Sequence, residues 1–206
     1  MEPRLKKYPH RIFVCVTFDQ HLSFRPHILT INNKLAKSVG IINKVKHYLP
    51  KQVLMTLYYT LVYPYLTYCC AVWSSNYQSN LSRIIIYQKK VVRIITRSEY
   101  DAHTTPIFRQ LRILKFEDIA AWSILKIVYI YHQQAKTEYN RLDLFTVNER
   151  NTQRYRIPFG RLNTTRFCIS YRGPILWNPL NNDLKKLPSI HRFKKQFFNI
   201  AFEKYE

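Results

Sequence analysis

The side chains that could perform catalysis or bind a metal ion are scattered through this 206-residue sequence. Two-metal nucleotidyl transfer needs clustered carboxylates, and the best candidates, Glu117 and Asp118, are adjacent in sequence. Neighbours on a helix point in different directions, and acidic residues at a helix start are explained by the helix dipole. The histidines stand singly, and no serine or cysteine lies in a recognisable nucleophile setting. The sequence therefore predicts neither a metal site nor a complete catalytic site.

The cysteines are spaced unlike metal ligands. Cys15, Cys69, Cys70 and Cys168 contain no C-x-x-C pair and no histidine at zinc-ligand spacing. Cys69 and Cys70 lie in a hydrophobic run, which favours buried free thiols in a reducing compartment. The first residues are charged and interrupted by proline, unlike a secretory signal. These features predict an intracellular protein of the nucleus or cytoplasm.

The charge distribution predicts a polyanionic partner. Lys and Arg number 33 against 12 Asp and Glu, a formal charge of +21, and no acidic residue occurs between Asp19 and Glu99. A solvated basic surface is the alternative, although such surfaces normally mix both signs. The predicted nucleic-acid contacts in this interval are Lys34, Lys37, Lys44, Lys46, Arg83, Lys89, Lys90, Arg93 and Arg97.

The hydrophobic pattern places these basic residues on helices. Apolar residues recur at three- and four-residue steps between Phe24 and Tyr48, which predicts an amphipathic helix with lysines on its outer face. Further helices are predicted from Pro50 to a break near Pro64, across Leu81–Ile95, from Pro106 after a Thr104 or Thr105 cap, and across Phe116–Gln134.

Strand-like segments are short and lie towards the two ends of the chain. Ile12–Phe18 is rich in β-branched and aromatic residues and predicts one short strand. The C-terminal part predicts strands at Tyr155–Pro158 and Arg166–Tyr171, a turn at Gly173–Pro174, and a last helix capped by Ser189. The expected fold is mainly α, with a short N-terminal strand and a small α+β C-terminal unit.

One uncharged segment is long enough to test for membrane insertion. Gln52–Ser82 has no charged side chain, and Val53–Trp73 within it approaches the length of a bilayer span. Pro64 and the many tyrosines and threonines are atypical of a spanning helix. A buried helix pair is favoured, and a membrane-associated protein using residues 53–73 is the less favoured alternative.

Six segments carry recognisable motifs in order along the chain. They are VTFDQHLSFRPHI at Val16–Ile28, LAKSVGIINKVKHYLP at Leu35–Pro50, LYYTLVYPYLTYCCAVW at Leu57–Trp73, QKKVVRIIT at Gln88–Thr96, AHTTPIFRQLRILKFEDI at Ala102–Ile119 and SYRGPILWNPL at Ser170–Leu180. In this order they resemble the C-terminal part of non-LTR retrotransposon reverse transcriptases of the jockey-like kind. The resemblance covers about Ile12 to Glu206.

The resemblance implies the region that follows the catalytic hairpin of the polymerase palm. Residues 1–23 would be a remnant of the palm edge, 24–135 a basic helical thumb-like domain, 136–151 a linker, and 152–206 the C-terminal unit. Phe13, Val14 and Cys15 would occupy a primer-grip-like position, where the family usually has aromatic-Leu-Gly. Glycine there would permit a close backbone approach to a primer, which the Cys15 side chain puts in doubt.

The resemblance also implies that the chain lacks the chemistry of its family. The aromatic-x-Asp-Asp motif is absent, so the chain resembles a reverse transcriptase that has lost everything before the end of its palm. Magnesium is expected only in the missing palm. The leading hypothesis is a non-catalytic fragment that binds RNA, DNA or their hybrid, with the palm as a second partner and no small-molecule ligand. The alternative is one part of an active polymerase whose palm is encoded upstream.

Overall fold

The chain is mainly α in the computed structural model, which describes residues 10–134 and 144–205. Within these residues the longer helices are α1 Arg25–Val45, α2 Lys51–Leu61, α5 Gln78–Thr96, α6 Thr104–Leu111, α7 Phe116–Gln134, α9 Ile169–Trp177 and α11 Ile190–Glu203. The short helices are α3 Tyr63–Thr67, α4 Cys70–Trp73, α8 Asn163–Phe167 and α10 Asn182–Lys185. Strands β1 His10–Phe13 and β2 Val16–Asp19 form one antiparallel pair, and β3 Val147–Asn148 and β4 Asn151–Tyr155 form another. The predicted mainly α fold class is confirmed.

The first hydrophobic core is built mainly from helices α1 to α7. Helix α1 packs along α5, and both bury an apolar stripe that includes Leu35 and Ile42 of α1 and Ile84 and Val91 of α5. Pro64 lies in the first turn of α3, just after α2 ends, as the sequence predicted. The stripe spacing of three and four residues is therefore the direct cause of the α1–α5 pairing.

A second core forms around the C-terminal half of α7. Its members are mainly aromatic, and Trp177 of α9 lies completely buried among them. The core residues are Ile124, Leu125, Val128, Tyr129, Tyr131, Phe145, Tyr155, Trp177, Leu184, Phe193 and Phe197. Because α7 contributes to both cores, it connects the N-terminal helices to the C-terminal part of the chain.

The end of the chain also contacts the first core. Ala201 and Tyr205, at and just beyond the end of α11, are buried there. The Tyr205 hydroxyl accepts a hydrogen bond from the Lys115 N–H at 2.8 Å and donates one to the Asp118 carboxylate. The predicted C-terminal unit thus packs against the helical region through α7 and Tyr205.

A buried glutamine side chain ties three helices together. Gln88 of α5 donates through Nε2 to the Leu114 carbonyl at 2.9 Å and the Tyr58 hydroxyl at 3.1 Å. Its Oε1 accepts the Phe116 N–H at 2.8 Å. These groups are buried away from water and would lack hydrogen-bond partners without the amide. The Gln88 side chain therefore determines how α2 and the start of α7 pack against α5.

The N-terminal strand prediction was incomplete, because the segment reverses direction. The single strand predicted over Ile12–Phe18 is a hairpin in which Phe13 pairs with Val16. The turn residues Val14 and Cys15 have φ of 47° and 60°, in the left-handed region. The Tyr68 hydroxyl donates to the Val14 carbonyl at 2.8 Å, so a tertiary contact supports a turn that contains no glycine.

The strand predicted over Arg166–Tyr171 is wrong, and so is the turn at Gly173–Pro174. These residues belong to α8 and α9, and α9 packs along α7. A Cβ added at Gly173 would lie 2.7 Å from Cε1 of Phe145, so glycine there permits close packing instead of a turn. This packing outweighs the local turn signal of Gly-Pro.

Other boundaries differ less. Helix α6 begins at Thr104 with His103 as its N-cap, two residues before the predicted start. Ser189 caps α11, as predicted, by accepting the His191 N–H at 3.2 Å. Strands β3 and β4 begin inside the predicted linker, of which residues 136–143 lie outside the described residues. The strand predicted over Tyr155–Pro158 is wrong beyond its first residue, because β4 ends at Tyr155.

The uncharged segment is folded into the first core. Leu54, Tyr58, Leu66 and Trp73 are fully buried there. None of the helices in the described ranges is long and apolar enough to cross a membrane. Cys70 is a buried free thiol, as predicted, and burial raises its pKa to about 11. Cys69 is also a free thiol, but it is only partly buried, so the prediction was wrong for its burial.

We expect replacement of Gln88 by alanine to lower the free energy of unfolding by about 3 kcal/mol, because buried partners lose their hydrogen bonds. The exposed Gln52 of α2 provides the matched control, and Gln52→Ala should change stability by less than about 0.5 kcal/mol. Urea unfolding followed by circular dichroism measures both. Equal losses in the two variants would contradict the proposed role of Gln88.

The buried tyrosines predict a loss of stability in alkali. Burial raises the pKa of Tyr58, Tyr155 and Tyr205 above the ordinary value of 10.0, and the Asp118 carboxylate adds to the shift at Tyr205. Above pH 10 the unfolded chain releases protons that the folded chain retains. The free energy of unfolding should therefore fall as pH rises, by up to about 4 kcal/mol per pH unit for three such groups.

Denaturant unfolding between pH 8 and 11 measures this slope. Tyr155→Phe should make the slope shallower, whereas Tyr48→Phe should leave it unchanged because Tyr48 is exposed. A stability that stays constant up to pH 11 would count against the buried tyrosines.

Candidate nucleic-acid interface

A cleft of about 620 Å³ lies between α1 and α5, beside their buried contact. Ala36 and Val39 of α1 and Ile94 of α5 contribute apolar surface to its lining. Gly40 of α1 adds no side chain, and a Cβ built there would meet nothing within 4 Å. The cleft is therefore open to the α1 backbone at this turn of the helix.

Four of the predicted nucleic-acid contacts line this cleft. Two lie on α5 and two follow directly after α1 and α5, although they are up to 51 positions apart in sequence: Lys90 and Arg93, and Lys46 and Arg97. None of the described residues that line the cleft is acidic. This concentration of positive charge at a concave surface favours an anionic ligand.

Hydrogen bonds to carbonyl groups position two of the four cations. Arg93 donates through Nε to the Ala102 carbonyl at 2.8 Å, which holds the side chain beside the 98–103 turn. Arg97, just after α5, donates through Nη2 to the Lys46 carbonyl at 3.3 Å and so joins the C-terminal ends of α5 and α1. Both acceptors are neutral carbonyl oxygens. Arg93 also lines a neighbouring cavity that contains Asp101 and Glu117.

The other predicted contacts do not line the cleft. Lys34 lies over the Tyr65 ring, with its Nζ 5.3 Å from the ring centroid. Lys89 lines a different cavity that also contains Asp101 and Glu117. The remaining three are exposed on α1 or α5: Lys37, Lys44 and Arg83. The structure thus brings four of the nine predicted nucleic-acid contacts together at the cleft and separates the other five from it.

Sequence reasoning missed the aromatic and imidazole groups of the cleft. Tyr87 of α5, Tyr100 in the following turn and His47 after α1 also line it. Tyr87 could have been found, because it lies three residues before Lys90 and therefore on the same helix flank. Tyr100 could not, since only the turn after Arg97 brings it back towards the cleft.

The primer-grip-like residues lie at the tip of the N-terminal hairpin. Phe13 ends β1, and the turn residues Val14 and Cys15 are exposed. The left-handed φ of Cys15 is one that favours glycine. Neither Val14 nor Cys15 lines the α1–α5 cleft.

The two adjacent carboxylates lie at the start of a helix. Glu117 and Asp118 lie in the first turn of α7, as predicted, and Asp118 accepts the Tyr205 hydroxyl. Within residues 10–134 and 144–205, no group of three His, Cys, Asp or Glu side chains could hold a metal ion.

Gly40 yields a stability prediction. Glycine inside a helix is destabilising relative to alanine, and a methyl group fits here without contact. Gly40→Ala should raise the free energy of unfolding by about 0.5–1 kcal/mol. Gly173→Ala is the contrasting variant and should be destabilising, because its Cβ would collide with Phe145. Thermal unfolding compares the two, and a destabilised Gly40→Ala would contradict the open cleft.

Sequence comparison connects the chain to transposon polymerases. It is 28% identical over 149 residues to a Drosophila melanogaster protein named "Probable RNA-directed DNA polymerase from transposon X-element". The match covers 68% of this chain and 15% of the Drosophila protein, so the chain corresponds to a small part of that relative. No protein family profile and no solved structure matches the chain. The similarity supports a region related to transposon reverse transcriptases.

Proposed function

We propose that this chain is a nucleic-acid-binding region of a transposon reverse transcriptase, of the jockey-like kind, that contacts template and primer through their phosphate backbones. Residues 24–135 would form the thumb-like part that follows the palm. The chain would bind RNA, DNA or an RNA–DNA hybrid and would not itself polymerise. Magnesium would be needed only in the palm.

The convergence of four cations on the α1–α5 cleft is the observation that carries this proposal. Lys90 of α5, Lys46 just after α1 and Arg97 just after α5 all line the cleft, although they are distant in sequence. Lysine and arginine bind phosphate oxygens without reading base identity. Exposed Lys37, Lys44 and Arg83 extend the positive surface beyond the cleft and would contact neighbouring phosphates.

The alternative proposal is that the chain works as one part of an active polymerase. The name of the Drosophila relative supports it, as does the 15% of that protein that the chain matches. An in-frame Asp-Asp motif upstream of these residues in the gene would favour this alternative. Stop codons in that region would favour the non-catalytic protein.

Salt dependence tests the phosphate contacts. Binding of the 206-residue chain to a fluorescent RNA–DNA hybrid should weaken linearly on a log–log plot against salt. The Lys46→Gln/Lys90→Gln double variant removes two cleft cations and should reduce the slope by about 1.4–1.8. The matched control removes two exposed lysines elsewhere, Lys126 and Lys186, and should leave the slope nearly unchanged. Wild-type affinity independent of salt, or equal effects of both pairs, would refute the proposal.

A further inference from the structure

The α1–α5 cleft combines two chemistries that phosphate binding alone does not require. Besides its cations, it has apolar surface from Val39 and Ile94 and two tyrosine rings. Tyr100 has 80% of its surface exposed, and Tyr87 is half-buried. The aromatic groups and the cations therefore lie within one concavity, and a ligand could use both.

A regular duplex cannot use the apolar part of this cleft. Its bases are stacked and paired inside the helix, and its own convex outer surface consists mainly of phosphates and sugars. A duplex backbone would contact the cations at the rim and leave the apolar surface in water. An unpaired nucleotide, in contrast, offers a flat base and a phosphate within one residue, and aromatic side chains bind such bases by stacking.

The dimensions of the cleft suit a ligand of this size. Its volume of about 620 Å³ lies within the range of about 300–1,000 Å³ typical of small-molecule sites. Gly40 contributes to this space because a larger side chain would project into the cleft from α1. Lys90 lines the cleft from α5, and Arg97 reaches from the end of α5 to the Lys46 carbonyl after α1. Together they could hold the phosphate of a nucleotide whose base enters the cleft.

We propose that the α1–α5 cleft binds one unpaired nucleotide, with its base against Tyr100 and the apolar surface and its phosphate on Lys90 and Arg97. The chain would therefore bind single-stranded nucleic acid, or a single-stranded overhang, more tightly than blunt duplex of equal charge. This inference rests on the proposed function and specifies the nucleic acid that the same site prefers.

Two substitutions test the cleft without removing charge. Gly40→Leu fills it from α1, where the added Cβ meets no neighbour. Asn33→Leu is its control, because it adds the same side chain at an exposed α1 position that does not line the cleft. Tyr100→Leu removes an aromatic ring at the cleft, and Tyr48→Leu removes an equally exposed ring that does not line it. Fluorescence anisotropy would measure binding of each variant to a 12-nucleotide single strand and to a blunt duplex at the same salt concentration.

The wild-type chain should bind the single strand more tightly than the duplex. Tyr100→Leu should weaken single-strand binding by about tenfold, because a base–aromatic stack is lost, while duplex binding stays constant. Gly40→Leu should also reduce the preference for single strands, and neither control should alter it. Thermal unfolding checks that each variant is folded. If Gly40→Leu does not fold, Tyr100→Leu still tests the cleft.

Distinct results would overturn the two proposals. Equal wild-type affinity for single strand and duplex, or a Tyr100→Leu variant that behaves like Tyr48→Leu, would refute the nucleotide cleft and leave backbone binding in place. Failure of the wild-type chain to bind either nucleic acid would refute both.

Discussion

The buried amide of Gln88 fixes the orientation of the helix on which the candidate site depends. It bonds to Tyr58 of α2, the Leu114 carbonyl and the Phe116 N–H, so α5 cannot rotate without leaving buried polar groups unpaired. Successive residues of a helix are about 100° apart. With Gln88 directed inward, Tyr87 and Lys90 are therefore both directed to the flank that faces the cleft. A polar contact in the core thus determines which side chains line the cleft.

Helix α7 connects the Gln88 contact to the rest of the chain. Its first turn receives the Gln88 contact through Phe116, and its last turns organise the aromatic core around Trp177. Tyr205 connects back to the same first turn through Asp118. The two cores therefore share one helix, and the C-terminal residues stabilise the region that contains the candidate interface.

Helices with strong apolar periodicity were predictable from sequence. The pattern between Phe24 and Tyr48 predicted α1, and the bounds predicted for α7 agree with the structure. Predictions failed where tertiary packing outweighs local preference. The Arg166–Tyr171 segment has β-branched and aromatic residues, yet it is helical because α9 packs against α7 through Gly173. The hairpin turn at Val14 and Cys15 has no glycine to mark it and is held by the distant Tyr68.

The candidate site was predictable only in part. The acid-free interval identified the basic residues, but charge alone did not distinguish Lys90, which lines the cleft, from Lys89, which lines a cavity containing two acidic side chains. Adjacent helix residues point in different directions, so one position along α5 decides between two environments. The aromatic residues of the cleft carried no signal in the charge pattern.

Residue types and local spacing were enough to predict the helical class, the buried stripes of α1 and α5 and the strong positive charge. The contact between Lys46 and Arg97 at one cleft, with Gly40 and Tyr100 beside them, could be learned from the packed helices alone. The contact between two helices sets their relative rotation, and this rotation depends on buried partners such as Gln88 that lie far away in the chain.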